Sequence, residues 1–540
     1  MRSFLEEASF NQSPAFGDID LFASDRALFD AAERYGLDSL ALSECGRDYG
    51  SAATLELGRL ANEYPPRLRT MDGKGNRLDL VEFHPAYHAL MTKSIGHGIH
   101  SSAHESSGIR FPMTERAMRL YVAMQTESGH LCPVTMTHAC VGALAAQPDM
   151  LDEWKAKILS RSYDPELKPW WQKTGVTIGM GMTERQGGTD VRANVTYAES
   201  RSDHVEISGH KWFMSAPMCD AFLVLAQGEG GLTCYLMPRF RPDGSMNGLR
   251  FQRLKDKLGN RSNASSEVEF HSAYAQRIGP EGQGVRTIIE MVQLTRIDCA
   301  VASAGLMRIA LAQAVHHIRN RSVFQRRLVD QPVMRAVAAD LALEHEAFTA
   351  LVFRLASSAD LANDPDNAMW VRMMTPAIKY LVCKTAPQFI YEALECFGGN
   401  GYSEDLPMAR YYREAPLNAI WEGSGNVMAL DLLRVARREP DAAMGAIRKL
   451  AHAAAEACDV STIIAEFEQI LKSDRIEYRA RYLCERLAQL AAVASLVEAN
   501  STFAGSYAQS RLANGEGAQF GAADLDPRVE EILLERALAV

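Results

Sequence analysis

The spacing of hydrophobic and polar positions changes along this chain and divides it into four zones. Residues 1–175 carry helical spacing broken by polar loops, which predicts an N-terminal helical domain. Residues 176–285 carry short apolar or alternating runs between glycine-rich turns, which predicts an antiparallel β domain. Helical spacing returns in 286–436 and again in 437–540. These zones predict a helical bundle and an additional C-terminal helical domain.

The most regular helical stretch follows the β domain. Its apolar positions recur at intervals of four, four, seven, four and three residues and are expected on one face: Val333, Val337, Leu341, Phe348, Val352 and Leu355. An order of helices, strands and helices argues against the βαβ alternation of a parallel sheet. Gly179 and Gly181 come nearest to a dinucleotide-binding pattern, but Glu184 stands where the third glycine belongs. The sequence therefore predicts a mostly α fold with a central antiparallel β domain and no Rossmann domain.

Composition places the chain among soluble globular proteins. It has 540 residues, of which 47% are hydrophobic and 23% charged. A net charge of −10 argues against a uniformly basic nucleic-acid-binding surface. The ten cysteines form no Cys-x-x-Cys pair, which predicts neither a zinc site nor a disulfide framework and favours the cytoplasm. The acidic start of the chain and its interrupted apolar runs predict neither a signal peptide nor a membrane span.

Glu422 is the leading candidate for a catalytic group. It lies in the sequence NAIWEGSGN at 418–426, where the following glycines and serine leave a carboxylate open to a substrate on a turn. Upstream, the sequence GGNGY at 398–402 allows backbone N–H groups to meet a phosphate or a ring face. A base beside a phosphate-bearing cofactor is suited to removing a proton next to a carbonyl. Taken singly, either segment is also typical of a helix-capping loop.

Three other segments carry groups suited to a planar, phosphate-bearing cofactor. The sequence MTERQGGTD at 182–190 offers two hydroxyls and a glycine pair to a heteroaromatic ring. In GHKWFMS at 209–215, strand alternation predicts Phe213 and Ser215 on one face, an aromatic wall beside a hydroxyl. Arg321 and Phe324 would pair with a phosphate and cover an adenine face. A polar turn, a strand core and a solvated basic loop are the competing interpretations.

The order and spacing of these segments, together with KLG at 257–259, resemble the acyl-CoA dehydrogenase flavoproteins. The likeness is strong over about 175–436. The additional C-terminal zone, Trp421 before the glutamate and the sequence RLKDKLGNRSNAS at 253–265 resemble more narrowly the alkylation-response (adaptive response) branch of that family.

The resemblance implies an FAD ring between the β domain and the second helical domain. The residues at positions implied to contact the cofactor are Met182, Thr183, Gly188, Thr189, Phe213, Ser215, Arg321, Phe324, Gly398, Gly399, Trp421, Gly423 and Asn426. Those at positions implied to contact substrate are Thr183, Thr189, Ser215 and Arg296. Arg321, Phe324 and the 398–402 loop would reach the adenosine-diphosphate part of FAD in a neighbouring subunit, which implies a homotetramer built as a pair of dimers.

The resemblance also implies the chemistry. Glu422 resembles the family's base, which takes the α-proton of an acyl-CoA thioester while the β-hydrogen leaves as hydride to the flavin. A second family location for this base holds Thr295, directly before Arg296, and threonine cannot act as the base. Glu422 is therefore the single candidate. Trp421 replaces the family's usual tyrosine, a change that would narrow the acyl tunnel.

The alkylation-response branch implies binding of double-stranded DNA by the C-terminal zone. Residues 437–540 carry 12 Lys and Arg against 16 Asp and Glu, so the zone is not basic overall. Spacings of three, four and seven would nevertheless place four basic residues in one stripe on a helix: Lys472, Arg475, Arg479 and Arg486. Such a stripe would follow phosphates. The competing interpretation is that these long side chains snorkel along the edge of a core-facing helix.

Three functions stay open from the sequence. The first is an FAD-containing, acyl-CoA dehydrogenase-like protein that protects DNA from alkylation, binds double-stranded DNA and has at most weak dehydrogenase activity. The second is a metabolic dehydrogenase acting on a branched or unusual acyl-CoA. The third is a DNA-shielding protein without catalysis that keeps the flavin for structure.

Overall fold

The structure, a computed structural model, describes residues 11–105, 108–513 and 519–539. It is mostly helical with one central sheet, as the sequence predicts. The fold separates into two compact units made of interleaved segments: the second unit comprises Glu56–Pro112 and Glu127–Asp298, and the first comprises the rest of the chain. The four consecutive domains expected from the sequence stay a prediction. The acidic start of the chain lies outside the described residues, as does part of the segment near 514–523, whose glycine and alanine content predicts a loop.

A two-stranded hairpin belongs to the second unit, in the zone predicted to be largely helical. Its antiparallel strands are β1 Arg67–Met71 and β2 Arg77–Glu82. Arg77 donates to the carbonyl of Phe251 at 2.9 Å, and Asp79 accepts the N–H of Phe251 at 3.0 Å. The strands are only five and six residues long and lie between helical segments, so their short alternating runs were not separated from the helical zone.

The central sheet of the second unit has seven strands within the part of the chain that the structure describes. They are β3 Ile178–Gly181, β4 Tyr197–Ser200, β5 Val205–Met214, β6 Ala221–Gly228, β7 Gly231–Pro238, β8 Leu249–Leu254 and β9 Ser266–Ile278. Pairings of β5 with β4, β4 with β6, β6 with β7, β7 with β9 and β9 with β5 close a ring. The interiors of β6 and β7 are buried and supply its core.

The predicted central β domain is present, and most of its pairings are antiparallel, but the sheet is mixed. Both β3 and β4 pair with β6 in parallel, and the remaining pairings are antiparallel. Parallel pairing needs a long crossover connection. The chain between β3 and β6 is long enough to provide one, because it contains β4 and β5. Alternation along single strands does not reveal which strands become neighbours.

Helices make up the first unit. Those that lie wholly within it are Arg26–Tyr35, Ser39–Gly50, Pro332–Asp360, Pro365–Glu395, Gly399–Tyr402, Met408–Glu414, Gly425–Arg438, Pro440–Ala454, Ser461–Leu471, Ala480–Glu498, Ala504–Tyr507 and Pro527–Ala537. A short hairpin, β10 Ser322–Val323 and β11 Arg326–Arg327, also belongs to this unit. The second unit contains Pro85–Gly96, Leu131–Leu144 and Pro148–Ile158. Three further helices continue from one unit into the other: Ala52–Glu63, Pro112–Met124 and Gly284–Asn320.

The apolar face predicted after the β domain belongs to Pro332–Asp360. Its members from Leu341 to Leu355 are buried, which confirms the helical face. Val333 is 80% exposed because it lies on the first turn, outside the packed part of the helix. Within the described residues one helix, Gly284–Asn320, is long and apolar enough to cross a membrane, and its most apolar window is 100% buried. That burial is typical of a core helix.

A buried charge cluster joins distant segments of the first unit. The carboxylate of Asp25 lies 3.0 Å from both Arg308 Nε and His345 Nε2. Arg308 also donates to the carbonyls of Ser24 at 3.0 Å and Ala537 at 2.7 Å. Burial by itself would raise the pKa of Asp25, but His345 and Arg308 hold it well below its usual value. Arg308 thus ties the start of the helix Arg26–Tyr35 to the helix Pro527–Ala537.

We expect Arg308→Met to lower the free energy of unfolding by about 3–5 kcal/mol, since it leaves a buried carboxylate without its guanidinium partner. Urea unfolding followed by circular dichroism measures the change. Arg26→Met is the matched control, because the Arg26–Asp30 pair is 44% and 41% exposed and should contribute less than about 1 kcal/mol. Equal losses in the two variants would contradict the role given to the cluster.

Candidate active site

The 182–190 loop and the end of β5 lie side by side in the second unit. Gly181, the last residue of β3, pairs with Met214 in β5. The carbonyl of Thr183 accepts the N–H of Trp212 at 2.9 Å. These pairings bring together four residues predicted to contact the cofactor: Met182, Thr183, Phe213 and Ser215.

The surface of this cluster is open. The Phe213 ring is 47% exposed, although aromatic rings are usually covered. A register shift between Lys211 and Met214 interrupts the alternation of β5, so alternation alone does not place Phe213 and Ser215 on one face. A Cβ atom at Gly188 would lie 2.5 Å from Thr183 Oγ1. Only glycine therefore lets the loop close against that hydroxyl, and Thr189 follows exposed to solvent.

A buried ion pair that sequence reasoning missed supports the same loop. Lys211 Nζ lies 2.8 Å from Glu184 Oε1 and 2.8 Å from the carbonyl of Leu225. Glu184 also accepts the N–H groups of Val195 at 2.8 Å and Thr196 at 3.2 Å. Burial alone would raise the pKa of Glu184, but Lys211 and these hydrogen bonds lower it to about 2. Glu184 lies in the 182–190 segment and Lys211 in the 209–215 segment. A charged residue of each sign beside the predicted cofactor contacts was the signal from which the ion pair could have been predicted.

Glu422 lies on a left-handed turn in the first unit. Its φ is 58°, and that of Gly423 is 100°. The turn separates the short 3₁₀ helix Leu417–Ala419 from the helix Gly425–Arg438, and the Glu422 side chain is half-buried. This φ costs a glutamate about 1–3 kcal/mol and persists only when the surrounding structure holds it. The predicted open turn is present, and its conformation is unusual for a residue that carries a side chain.

Lys379 and Asn418, which sequence reasoning missed, support this turn. Lys379 Nζ donates to the carbonyl of Trp421 at 2.9 Å and to that of Gly423 at 2.8 Å. Trp421 Nε1 donates to Asn418 Oδ1 at 2.8 Å, and Asn418 Nδ2 donates to Ser303 Oγ at 3.1 Å. Two successive side-chain hydrogen bonds, from Ser303 through Asn418, therefore connect the indole of Trp421 to the core and orient it. Asn426 is exposed on the first turn of the following helix.

Two further predicted segments of the first unit lie next to each other. The ring of His317 stacks on Phe397 with centroids 4.4 Å apart, and the carbonyl of His317 accepts the N–H of Arg321 at 2.9 Å. Arg321 comes four residues after His317 in the sequence, and Gly398 comes directly after Phe397. The stacked pair therefore brings the two predicted segments close together. Burial lowers the pKa of His317 to about 4, with Arg321 as the next cause. The imidazole is accordingly neutral at pH 7 and adds no charge beside the arginine.

Both segments leave room for a ligand. Phe324 is 90% exposed, with a φ of 51°. Gly398 has a φ of 60° as the chain leaves the Pro365–Glu395 helix, which agrees with the helix-capping interpretation of this loop. Apart from adjoining residues, no heavy atom of the described chain lies within 4 Å of a Cβ placed at Gly398 or Gly399. The 398–402 loop therefore caps a helix and also leaves the backbone at Gly398 and Gly399 open to a ligand.

The predicted site residues thus fall into two groups, one in each unit. Arg296 belongs to the second unit and is 5% exposed within the Gly284–Asn320 helix. Thr295 Oγ1 donates to the carbonyl of Val292 at 3.0 Å, an ordinary contact within a helix. The roles of individual site residues stay predictions.

The basic stripe predicted in the C-terminal zone does not lie on a single helix. The helix Ser461–Leu471 ends with Lys472 as its C-cap, and a separate 3₁₀ helix, Ile476–Arg479, precedes Ala480–Glu498. Ser473 Oγ accepts the N–H of Arg475 at 3.1 Å, in the turn that follows the helix Ser461–Leu471. The prediction of one helical stripe is therefore wrong, because the helical period is broken between its members.

Three members of the former stripe are exposed and the fourth is not. Arg479 Nη2 lies 3.1 Å from a carboxylate oxygen of Glu466. Arg486 is half-buried and donates to the carbonyls of Arg511 at 3.0 Å and Leu512 at 2.7 Å. The snorkelling interpretation therefore fits Arg486, while DNA contact by Lys472, Arg475 and Arg479 stays a prediction.

Comparison with known proteins identifies the family. Three family models match the chain: the adaptive response protein AidB N-terminal domain over 11–165, the acyl-CoA dehydrogenase middle domain over 179–273 and the acyl-CoA dehydrogenase C-terminal domain over 282–437. AidB of Escherichia coli (strain K12) is 48% identical over 434 residues, which cover 80% of each chain. The chain belongs to the acyl-CoA dehydrogenase family. It carries the family's AidB-type N-terminal domain.

Relatives in Caenorhabditis elegans extend the match to structure. Acyl-CoA dehydrogenase family member 11 is 33% identical over 413 residues, covering 72% of this chain and 65% of that protein. The crystal structure of ACDH-11 in complex with C11-CoA matches with a TM-score of 0.83 at 25% identity, covering 99% of this chain and 95% of that one. The resemblance noted in the sequence and the family fold are both confirmed.

The Glu184–Lys211 pair generates a prediction about pH. Because the folded-state pKa of Glu184 lies below its ordinary value of 4.5, the carboxylate contributes stability that is present above about pH 4.5 and is lost as the pH falls toward 2. We expect Glu184→Gln to be less stable than the parent protein at pH 6 and the difference to shrink with acidification.

Thermal unfolding of both proteins between pH 6 and pH 3 checks this prediction. Glu199→Gln, at an exposed site on β4, is the matched control and should follow the parent at every pH. A difference between Glu184→Gln and the parent that stays constant over this range would contradict the role given to the carboxylate.

Proposed function

We propose that the protein is an FAD-dependent oxidoreductase that acts on the CH–CH group of an acyl-CoA, with Glu422 as the catalytic base. The observation that carries the proposal is a carboxylate held on a left-handed turn between two fixed carbonyls, at the position where the family's base is expected. The bound C11-CoA of the ACDH-11 structure supports an acyl-CoA as ligand.

The residues of both units fit FAD. In the second unit, an exposed aromatic ring and the hydroxyls of Thr183, Thr189 and Ser215 offer a wall and hydrogen-bonding groups to a flavin ring. In the first unit, Arg321 and the open backbone at Gly398 and Gly399 would hold phosphates. Met182, Gly188, Phe213, Phe324, Trp421, Gly423 and Asn426 complete the proposed contacts. When bound, FAD supplies the acceptor for a hydride.

The chain's own contribution is to take a proton at a fixed place. The carboxylate of Glu422 accepts the α-proton of the thioester, a step that requires it to lie within hydrogen-bond reach of that carbon. Trp421 directly precedes the base, its indole is oriented by Asn418, and by the family resemblance it would narrow the acyl tunnel. A base whose direction is set before substrate arrives avoids the entropy loss of ordering it during the reaction.

We also infer that the protein acts in the response to alkylation damage, as an AidB-type protein that binds double-stranded DNA. The support is the identity to AidB and the match to the adaptive response N-terminal domain. Lys472, Arg475 and Arg479 are exposed, and Arg479 would exchange its pairing with Glu466 for a phosphate, whereas Arg486 is engaged within the C-terminal zone. The proposed assembly is a homotetramer, in agreement with the 90% exposure of Phe324.

Glu422→Gln tests the catalytic proposal. The amide cannot accept the α-proton, so anaerobic bleaching of the flavin by an acyl-CoA panel should slow by about 100- to 10,000-fold while the yellow colour of the protein is kept. Glu439→Gln, at a surface pair with Arg372, is the control and should bleach like the parent. Unchanged bleaching by Glu422→Gln would exclude this residue as the base.

Charge reversal tests the DNA proposal. Arg475→Glu with Arg479→Glu should weaken retention of a double-stranded oligonucleotide and lower the slope of log K against log salt by about 2, one for each phosphate that the protein no longer neutralises. Reversal of the exposed Arg67 and Arg69 on β1 is the matched control. Gel shifts at several salt concentrations measure both. Retention that ignores the first pair of substitutions would remove these residues from the DNA surface.

A further inference from the structure

We propose that Lys379 is a positioning residue for the catalytic base: its buried ammonium group holds the backbone on both sides of Glu422 and so sets the direction of the carboxylate. The inference rests on the proposed function of Glu422. Lys379 does not act on the substrate itself, and its effect passes through two peptide groups of the turn.

The burial of Lys379 is the first observation. The residue lies in the middle of the Pro365–Glu395 helix and is 1% exposed. Burying an ammonium group is costly unless its protons are bonded. Within the residues that the structure describes, its hydrogen bonds go to two carbonyls of the glutamate turn. A core position alone would be filled at lower cost by an apolar side chain, so the charge requires its own explanation.

The identity of the acceptors is the second observation. The carbonyls belong to Trp421 and Gly423, the residues directly before and after the base. A carbonyl is coplanar with the N–H of the next residue. Fixing the Trp421 carbonyl therefore orients the plane that enters Glu422, and fixing the Gly423 carbonyl orients the plane that follows Gly423. The single ammonium group thus restrains the backbone on either side of one side chain.

The conformation of the turn is the third observation. Glu422 and Gly423 have φ values of 58° and 100°, a region that a glutamate leaves readily when nothing holds it. Relaxation of Glu422 to a negative φ would swing its Cα–Cβ bond to a new direction. Misplacement of a reacting group by about 1 Å can slow a reaction on the order of 100-fold. Lys379 supplies a restraint where the turn's own preferences oppose the observed geometry.

A second lysine on the same helix provides a matched control. Lys384 also approaches the turn: its Cδ lies 3.3 Å from the position of a Cβ on Gly425. Its side chain is exposed, and its ammonium group lies 5.8 Å from the centre of the Tyr380 ring. The two lysines therefore share helix and charge and both approach the turn, and they differ in burial and in whether they bond the carbonyls that flank the base.

The test compares Lys379→Met with Lys384→Met in the FAD-loaded protein. The first readout is amide hydrogen exchange of the peptide spanning 417–427, which should become faster at least 10-fold in Lys379→Met. The second is anaerobic flavin bleaching by C11-CoA, which should slow on the order of 100-fold. The third is the dissociation constant of the same acyl-CoA, which should stay within threefold of the parent value. Lys384→Met should match the parent in all three.

The combination of readouts separates positioning from general stability. A variant that merely loosens the core would weaken acyl-CoA binding and speed exchange in peptides throughout the first unit. Lys379→Gln is the second variant, because its amide can still donate to one carbonyl, and its bleaching rate should lie between those of the parent and Lys379→Met. If neither variant folds while Lys384→Met does, Lys379 serves the core and the proposal is overturned.

The remaining outcomes are also decisive. Bleaching by Lys379→Met within twofold of the parent, or unchanged exchange over 417–427, would overturn the positioning role. A parent protein that binds FAD but is bleached by no acyl-CoA would instead remove the proposed function. In that event faster exchange confined to 417–427 in Lys379→Met would still establish the restraint on the turn, so the two failures are distinguishable.

Discussion

Buried cations that bond to the chain's own backbone carbonyls are the constraint on which the described core and the candidate site depend. Arg308 donates to the carbonyls of Ser24 and Ala537, and Lys211 donates to that of Leu225. Lys379 does the same on both sides of Glu422. Each cation is withdrawn from water, so its hydrogen bonds must be made inside. Because a buried cation has few other hydrogen-bond acceptors within reach, it holds the backbone carbonyls that it contacts in place.

This constraint differs from apolar packing in what it specifies. Apolar side chains fill space, and several arrangements of a core satisfy them about equally well. A buried ammonium or guanidinium group needs acceptors at fixed distances and directions. The Glu184–Lys211 pair accordingly orders the loop that carries Thr183 and Thr189, and Lys379 orders the turn of the base. The reactive groups themselves stay at least partly exposed, while the groups that hold them are buried.

Much of the candidate site could be predicted from the sequence because its motifs are local. The segments at 182–190, 209–215, 398–402 and 418–426 each contain the polar or flexible residues that a cofactor or substrate requires, and their order is that of the family. The supporting residues were harder to find. Lys379 lies 43 residues before Glu422 in an ordinary helical stretch, where nothing in the pattern distinguishes it from Lys384. The prediction of a basic stripe in the C-terminal zone was wrong for the opposite reason. A regular spacing suggested one helix, but the helix is broken at 472–475, so the four basic residues are separated.

The sequence by itself determined the fold class, the family and the positions of Glu422 and the glycine-containing loops, since hydrophobic period and short motifs are properties of neighbouring residues. Only the tertiary structure decided which strands pair in parallel, which arginines are withdrawn from the surface and which lysine holds the turn of the base. These depend on contacts between residues far apart in the chain. Such contacts are selected by burial and by the need to satisfy each buried polar group, and neither is written in local spacing.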